Sequence, residues 1–163
     1  MKPIARIAAI AALMSAMAIG TCSCTDDSCY DNGSSLPIAT TYVGSSQQTV
    51  TGLTIMGIGV PGDSLLLDSA SVSEFYLPLR PSASTTSFKL QRWYHNAWVR
   101  DTLTIDYEPI EYFHSLECGA MFNFDITDVR HTIHGIDSVI LITTTITNSP
   151  SPALRIYFTD FNQ

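Results

Sequence analysis

Hydrophobic and polar residues alternate with a period of two along much of the chain. Phe75, Leu77 and Leu79 alternate with Glu74, Tyr76 and Pro78, and Phe88 and Leu90 with Ser87, Lys89 and Gln91. The rhythm recurs in Leu103, Ile105 and Tyr107, in Phe122, Phe124 and Ile126, and in Leu154, Ile156 and Phe158, each set separated by polar or mixed positions. Successive side chains of a strand point to opposite faces, so each run predicts a strand with one buried and one wet face. Val139 to Ile146 is apolar on both faces and β-branched, which predicts a central strand. Val50 to Val60 is strand-like too, with Gly52, Gly57 and Gly59 marking bulges or close backbone approach.

Turn residues fall between these runs: Pro61-Gly62-Asp63, Pro81-Ser82, His95-Asn96, Gly135-Ile136-Asp137 and Ser149-Pro150-Ser151-Pro152. Trp93 to Ala97 reads as the connection of a hairpin between the Phe88 and Leu103 strands. No helix of ordinary length is predicted after the first two dozen residues. Short strands at this spacing predict an all-β fold, an antiparallel β-sandwich that is immunoglobulin-like or related. The Cys-Trp-Cys spacing of true immunoglobulin domains is absent, so the strand order stays open.

The first residues obey another logic. Lys2 and Arg6 precede an apolar run, Ile7 to Ile19, interrupted only by Ser15. At about 1.5 Å per helical residue the run is too short for a hydrocarbon layer of roughly 30 Å. It has the layout of a cleavable secretory signal. Ala16-Met17-Ala18 would release a soluble periplasmic protein, whereas the residues before Cys22 and Cys24 are imperfect lipid-attachment boxes. Cysteine parity favours Cys24. Lipid on Cys24 discards Cys22 and leaves Cys29 and Cys118 to pair, while lipid on Cys22 leaves an odd thiol in an oxidising compartment. If neither is lipidated, four cysteines could form two bridges. The expected organisation is a lipoprotein signal over 1–23, a lipidated tether over 24–35 and one β-sandwich over 36–163. A Cys29–Cys118 bridge would close a loop of about ninety residues, worth roughly 4 to 5 kcal/mol in the chain-entropy picture.

Charge narrows the partners. The net charge is -7, and Lys2 and Arg6 lie in the signal, so the chain without its signal is more acidic still. Lys89 is the one lysine beyond the signal. Phosphate neutralisation needs clustered cations, so nucleic acid is excluded as a partner and anionic head groups are disfavoured. Thr25-Asp26-Asp27 places an acidic cluster directly after Cys24, which fits either a solvated tether or a signal for export to the outer face of the outer membrane. The expected location is therefore the outer membrane, at the cell surface or its periplasmic face, with a soluble periplasmic protein as the alternative.

Several stretches resemble a family of small Bacteroidota lipoproteins known only as a domain of unknown function. They are Cys24-Thr25-Asp26-Asp27-Ser28-Cys29, Phe75-Tyr76-Leu77-Pro78-Leu79, Asp101-Thr102-Leu103-Thr104-Ile105-Asp106-Tyr107, and Cys118-Gly119 before a long β-rich tail. The resemblance implies an envelope location and a β-domain with a cysteine pair, and implies no activity.

Candidate chemistry is sparse. His131 and His134 have a spacing that points their rings to opposite faces of a strand, which argues against a shared metal. Asp125, Asp128 and Asp137 could decorate a calcium loop, but the EF-hand spacing is missing. No nucleophile elbow, zinc-protease or phosphate-loop motif occurs, so neither an enzyme nor a bound cofactor is expected. The aromatics carry more. Trp93, Tyr94 and Trp98 flank one hairpin tip beside Arg92 and Arg100. Tyr, Trp and Arg are typical of binding hot spots and stacking platforms, although two facing tryptophans also serve as a packed cross-strand pair. Tyr107, Tyr112 and Phe113 are expected in the core or at its edge. Two functions remain: a membrane-anchored module that contacts an envelope protein or has a structural role, or a small ligand- or glycan-binding module using the Trp93–Trp98 hairpin. Both Trp side chains buried would dismiss the second.

Overall fold

The computed structural model describes residues 35–59, 64–94, 96–116 and 119–160. All lie in the second of two units into which the chain divides, Asn32–Gln163. The signal, Cys24, Cys29 and Cys118 lie outside the described residues.

The described residues form an all-β fold of two sheets. The first sheet holds β1 (Ile38–Val43), β2 (Ser46–Gln47), β5 (Glu74–Tyr76), β9 (Ile136–Leu141) and β11 (Pro152–Phe158), in the order β2-β1-β11-β9 with β5 also on β1. The second holds β3 (Val50–Ile58), β4 (Leu65–Val72), β6 (Thr85–Tyr94), β7 (Ala97–Ser115), β8 (Gly119–His131) and β10 (Thr145–Ile146), in the order β10-β8-β7-β6-β3-β4. The inward faces carry the residues that set the period-two rhythm. Phe75, Leu77, Phe88, Leu90, Leu103, Ile105, Tyr107, Phe124, Leu154 and Ile156 are all buried in one core. Facing sheets with alternating inward side chains are the sandwich the pattern predicts.

Three features depart from the pattern's plain reading. First, β1 and β11 pair in parallel, whereas the other pairings among the described residues are antiparallel. Parallel neighbours need a long connection, and here most of the domain lies between them in sequence. Second, Val139 to Ile146 is not one central strand. It supplies β9 at the edge of one sheet, then crosses to pair as β10 with Phe124 and Asp125 of β8 in the other. Ile142 N–H donates to Ala153 O at 2.7 Å on one side of the crossing, and Ile126 N–H to Thr144 O at 2.7 Å on the other. Val139 and Leu141 pack partly against the core and Ile146 is buried, but Ile140 and Ile142 are half-exposed on the outer face of this segment, so the second apolar face of the run is largely surface. Third, Phe113 is exposed rather than buried, while Tyr107 is buried and Tyr112 half-buried.

Two polar devices lock the core. The Tyr107 hydroxyl accepts from Arg80 N–H at 2.9 Å, donates to Arg80 O at 3.0 Å and lies 2.7 Å from Thr86 Oγ1. The extended chain after β5 is thereby fixed to β7. Asp101 supplies the other device. Its position shares the parity of Leu103, Ile105 and Tyr107, so it faces inward and is only 4% exposed. Oδ1 accepts from Thr132 Oγ1 at 2.7 Å and His134 N–H at 2.8 Å; Oδ2 accepts from Gly135 N–H at 2.6 Å and Ile136 N–H at 2.9 Å. Burial by itself would raise the Asp101 pKa, but these hydrogen bonds favour the anion and hold it below the usual range.

Candidate functional site

Two residues separate β6 from β7, and the second, Asn96, sits in the left-handed region at φ 59°. A two-residue connection of this kind suits the right-handed twist of the strands and tolerates Asn. The register places Trp93 directly opposite Trp98 and Tyr94 opposite Ala97. The two indoles stand edge to face, with ring centroids 5.2 Å apart and an interplanar angle of 72°. Such pairs contribute about 0.5–1.5 kcal/mol beyond area burial. The expected cross-strand pair is therefore formed, yet Trp93 remains 55% exposed and Trp98 42% exposed. The pair packs on itself and still presents aromatic surface to solvent.

The hairpin borders a cleft of about 240 Å³. Trp93, Tyr94 and Arg92 line one side, and Gln48, Thr49, Thr51 and Asp160 contribute from the β2–β3 connection, β3 and the segment after β11. Trp93 thus belongs both to the aromatic pair and to the cleft wall. Arg100 extends the aromatic surface: its guanidinium carbon lies 5.8 Å from the Trp98 ring centroid, and its Nε donates to Gln91 Oε1 at 3.4 Å. Arg92 stacks 5.7 Å from the Phe158 centroid. Burial lowers the Arg92 pKa while Tyr94 raises it, and a guanidinium so placed stays charged. The site offers a stacking surface, hydroxyl and amide groups, and charges of both signs. The polar lining was not visible in the sequence, because three separated segments supply it and none carries a motif.

Other candidates resolve differently. His131 ends β8, and His134 sits in the turn after it with Nδ1 3.2 Å from Asp101 Oδ1. Asp101 is the most buried carboxylate of this region, but the β8–β9 turn takes up its lone pairs, which suits a structural role. Asp128 lies 3.4 Å from Arg130, which also pairs with Asp106. Among the described residues, no group of three His, Cys, Asp or Glu side chains could hold a metal ion. A second concavity, of about 300 Å³, lies among Leu36, Leu66, Leu67, Phe75, Tyr76 and Pro78. It is almost wholly apolar and lacks the convergent polar groups that orient a small ligand.

A sequence model of a family of unknown function matches residues 52–158, from β3 to the end of β11. The chain belongs to that family, DUF6452. The matched stretch contains both strands of the Trp93–Trp98 hairpin and most of the core. Gln48, Thr49, Thr51 and Asp160 of the cleft fall just outside its two ends. No curated protein and no solved structure matches the chain.

Proposed function

We propose that this chain is a lipid-anchored envelope protein whose β-sandwich is a non-catalytic binding module for a saccharide, with Trp93, Tyr94 and Trp98 as its stacking surface. The observation that carries the binding half is the exposed indole pair continuous with a polar cleft. Saccharide rings present apolar faces that stack on aromatics and hydroxyl groups that need polar partners, and this site supplies both kinds of contact. The exposure of Trp93 and Trp98 reorders the two functions drawn from the sequence. Burial would have removed the glycan reading, whereas a protein-docking surface has no need of the cleft.

The anchoring half rests on the sequence: the short basic start, the apolar run from Ile7 to Ile19, and Cys24 placed so that Cys29 and Cys118 pair. The outer membrane is the proposed location, at the cell surface or its periplasmic face. No helix of the described residues is long and apolar enough to cross a membrane. More than one acyl chain on a single cysteine suffices for stable attachment. The binding half is tested by screening an oligosaccharide array with the native chain and with Trp93→Ala. Selective binding lost in the variant supports the proposal. Equal binding by both, or capture of proteins alone in parallel pull-downs, contradicts it.

A further inference from the structure

The β7–β8 hairpin carries apolar side chains that stand largely exposed at its turn end. Phe113 is 67% exposed and Leu116 is 90% exposed, while Ile110, three residues before Phe113, belongs to the other face of β7. Scattered surface apolar residues need no explanation, but Phe113 and Leu116 fall together at one hairpin end and form a patch. Phe113 stands opposite Ala120, and Ser115 opposite Gly119, so the patch sits at the turn end of the hairpin. Trp98 lies at the other end of β7, fifteen residues from Phe113, or at most about 50 Å along the strand.

The start of the described chain is pinned to the same hairpin. Ser35 is buried, and its hydroxyl donates to Asn123 Oδ1 at 2.9 Å. Asn123 is four residues into β8 from Gly119, roughly 13 Å from the turn end. On the proposed reading, the lipid on Cys24 is separated from Ser35 by Thr25 to Ser34. Even fully extended, that stretch reaches no more than about 40 Å. A Cys29–Cys118 bridge would shorten the leash further, since Cys118 is two residues after Leu116. With that bridge the lipid on Cys24 is held within about 20 Å of the turn end of the hairpin, which brings this end of the domain, rather than the Trp93–Trp98 end, close to the membrane.

We infer that Phe113 and Leu116 form a second membrane contact, dipping into the outer region of the bilayer that holds the lipid and turning the Trp93–Trp98 site away from it. This rests on the lipid-anchor reading. The bilayer it fits is neutral: Glu108 and Glu111 are exposed on the same arm and would be repelled by anionic head groups. Side chains seated at this boundary reach about 5–10 Å into it.

The test uses the chain's own fluorescence. Trp93 and Trp98 are its two tryptophans, so the native protein reports only on the far end of β7. Lipidated native chain, Phe113→Trp and Leu116→Trp are each reconstituted in phosphatidylcholine vesicles with brominated acyl chains, which quench indoles in contact with them. Flotation with the vesicles reads anchoring independently. The expected result is flotation of all three, unquenched native emission, and loss of most of the added emission in both variants. Flotation with the added indoles unquenched overturns the hairpin contact and leaves the anchor standing. Failure to float overturns the anchor and the contact together. Quenching of the native emission reverses the orientation and overturns the inference. A concentration-dependent blue shift of the added indole without vesicles would show a second copy covering the patch, which also overturns it.

Discussion

Removing the Asp101 carboxylate should cost the domain a large share of its stability. Asp101→Ala strips the acceptor from Thr132 Oγ1 and from the N–H groups of His134, Gly135 and Ile136. Thr132 and His134 are exposed and can turn to water, but Gly135 and Ile136 are buried. Two buried donors without acceptors cost about 1–3 kcal/mol each, giving roughly 4 kcal/mol in all. Asp101→Asn should cost about half that, because the amide oxygen can still face Gly135 and Ile136 while its NH₂ group faces the wet side. Urea unfolding followed by far-ultraviolet circular dichroism measures both, with the slope checked for constancy. The pH dependence gives an independent arm. The carboxyl's pKa is lower folded than unfolded, so its contribution is complete above the unfolded value, near 3.9. It is lost as the pH falls through the folded value. The native and Asp101→Asn stabilities should run parallel above about pH 5 and converge in stronger acid. A cost for Asp101→Ala below about 1 kcal/mol, with no convergence in acid, would refute the view that this carboxylate holds the turn.

The same geometry sets other outcomes. Tyr107→Phe removes the hydroxyl shared by Arg80 and Thr86 and should destabilise by about 1–3 kcal/mol in the same urea assay. Trp98→Ala should cost about 2–4 kcal/mol, from the lost ring pair and the buried half of the indole, while abolishing saccharide binding measured by titration calorimetry. Cys24→Ser should lose labelling by a fatty-acid analogue and move to the soluble periplasmic fraction; retained anchorage would point to Cys22. Thiol titration of the denatured mature protein should detect no free cysteine before reduction and two after it.

The second halves of the two sheets were readable because their strands obey period two with one face wet. In β6, β7 and β11 the residues in phase are buried, and in β11 the small out-of-phase Ala153 is buried with them. Asp101 could have been found by the same rule, because it keeps the phase of Leu103 and Ile105 although its chemistry suggests a surface. β4 gives no such rhythm: three consecutive leucines precede small polar residues, and its pairing with β3 shifts register three times. Ser69 at φ 46° belongs to this irregularity, with its N–H donating to Thr54 Oγ1 at 3.1 Å. The edge position of β9 was hidden because Ile140, and Ile142 just after it, leave apolar side chains on the exposed face of this segment. The Trp93–Trp98 pair was legible from one short turn; its exposure was not, since exposure depends on what the other sheet leaves uncovered. The cleft was illegible for a related reason: Gln48 and Asp160 meet only through the parallel pairing of β1 and β11, the longest-range contact of the sheet.

The central claim is that the Trp93–Trp98 end binds a saccharide, and intrinsic fluorescence tests it most directly. Both tryptophans of the chain lie in that pair, so all of its indole emission comes from the proposed site. Titration of the native protein with the oligosaccharides that the array selects should give a saturable change in emission, and Tyr94→Ala should weaken it. Emission that stays constant across envelope-derived oligosaccharides, from a protein whose unfolding curve shows it intact, would contradict the claim.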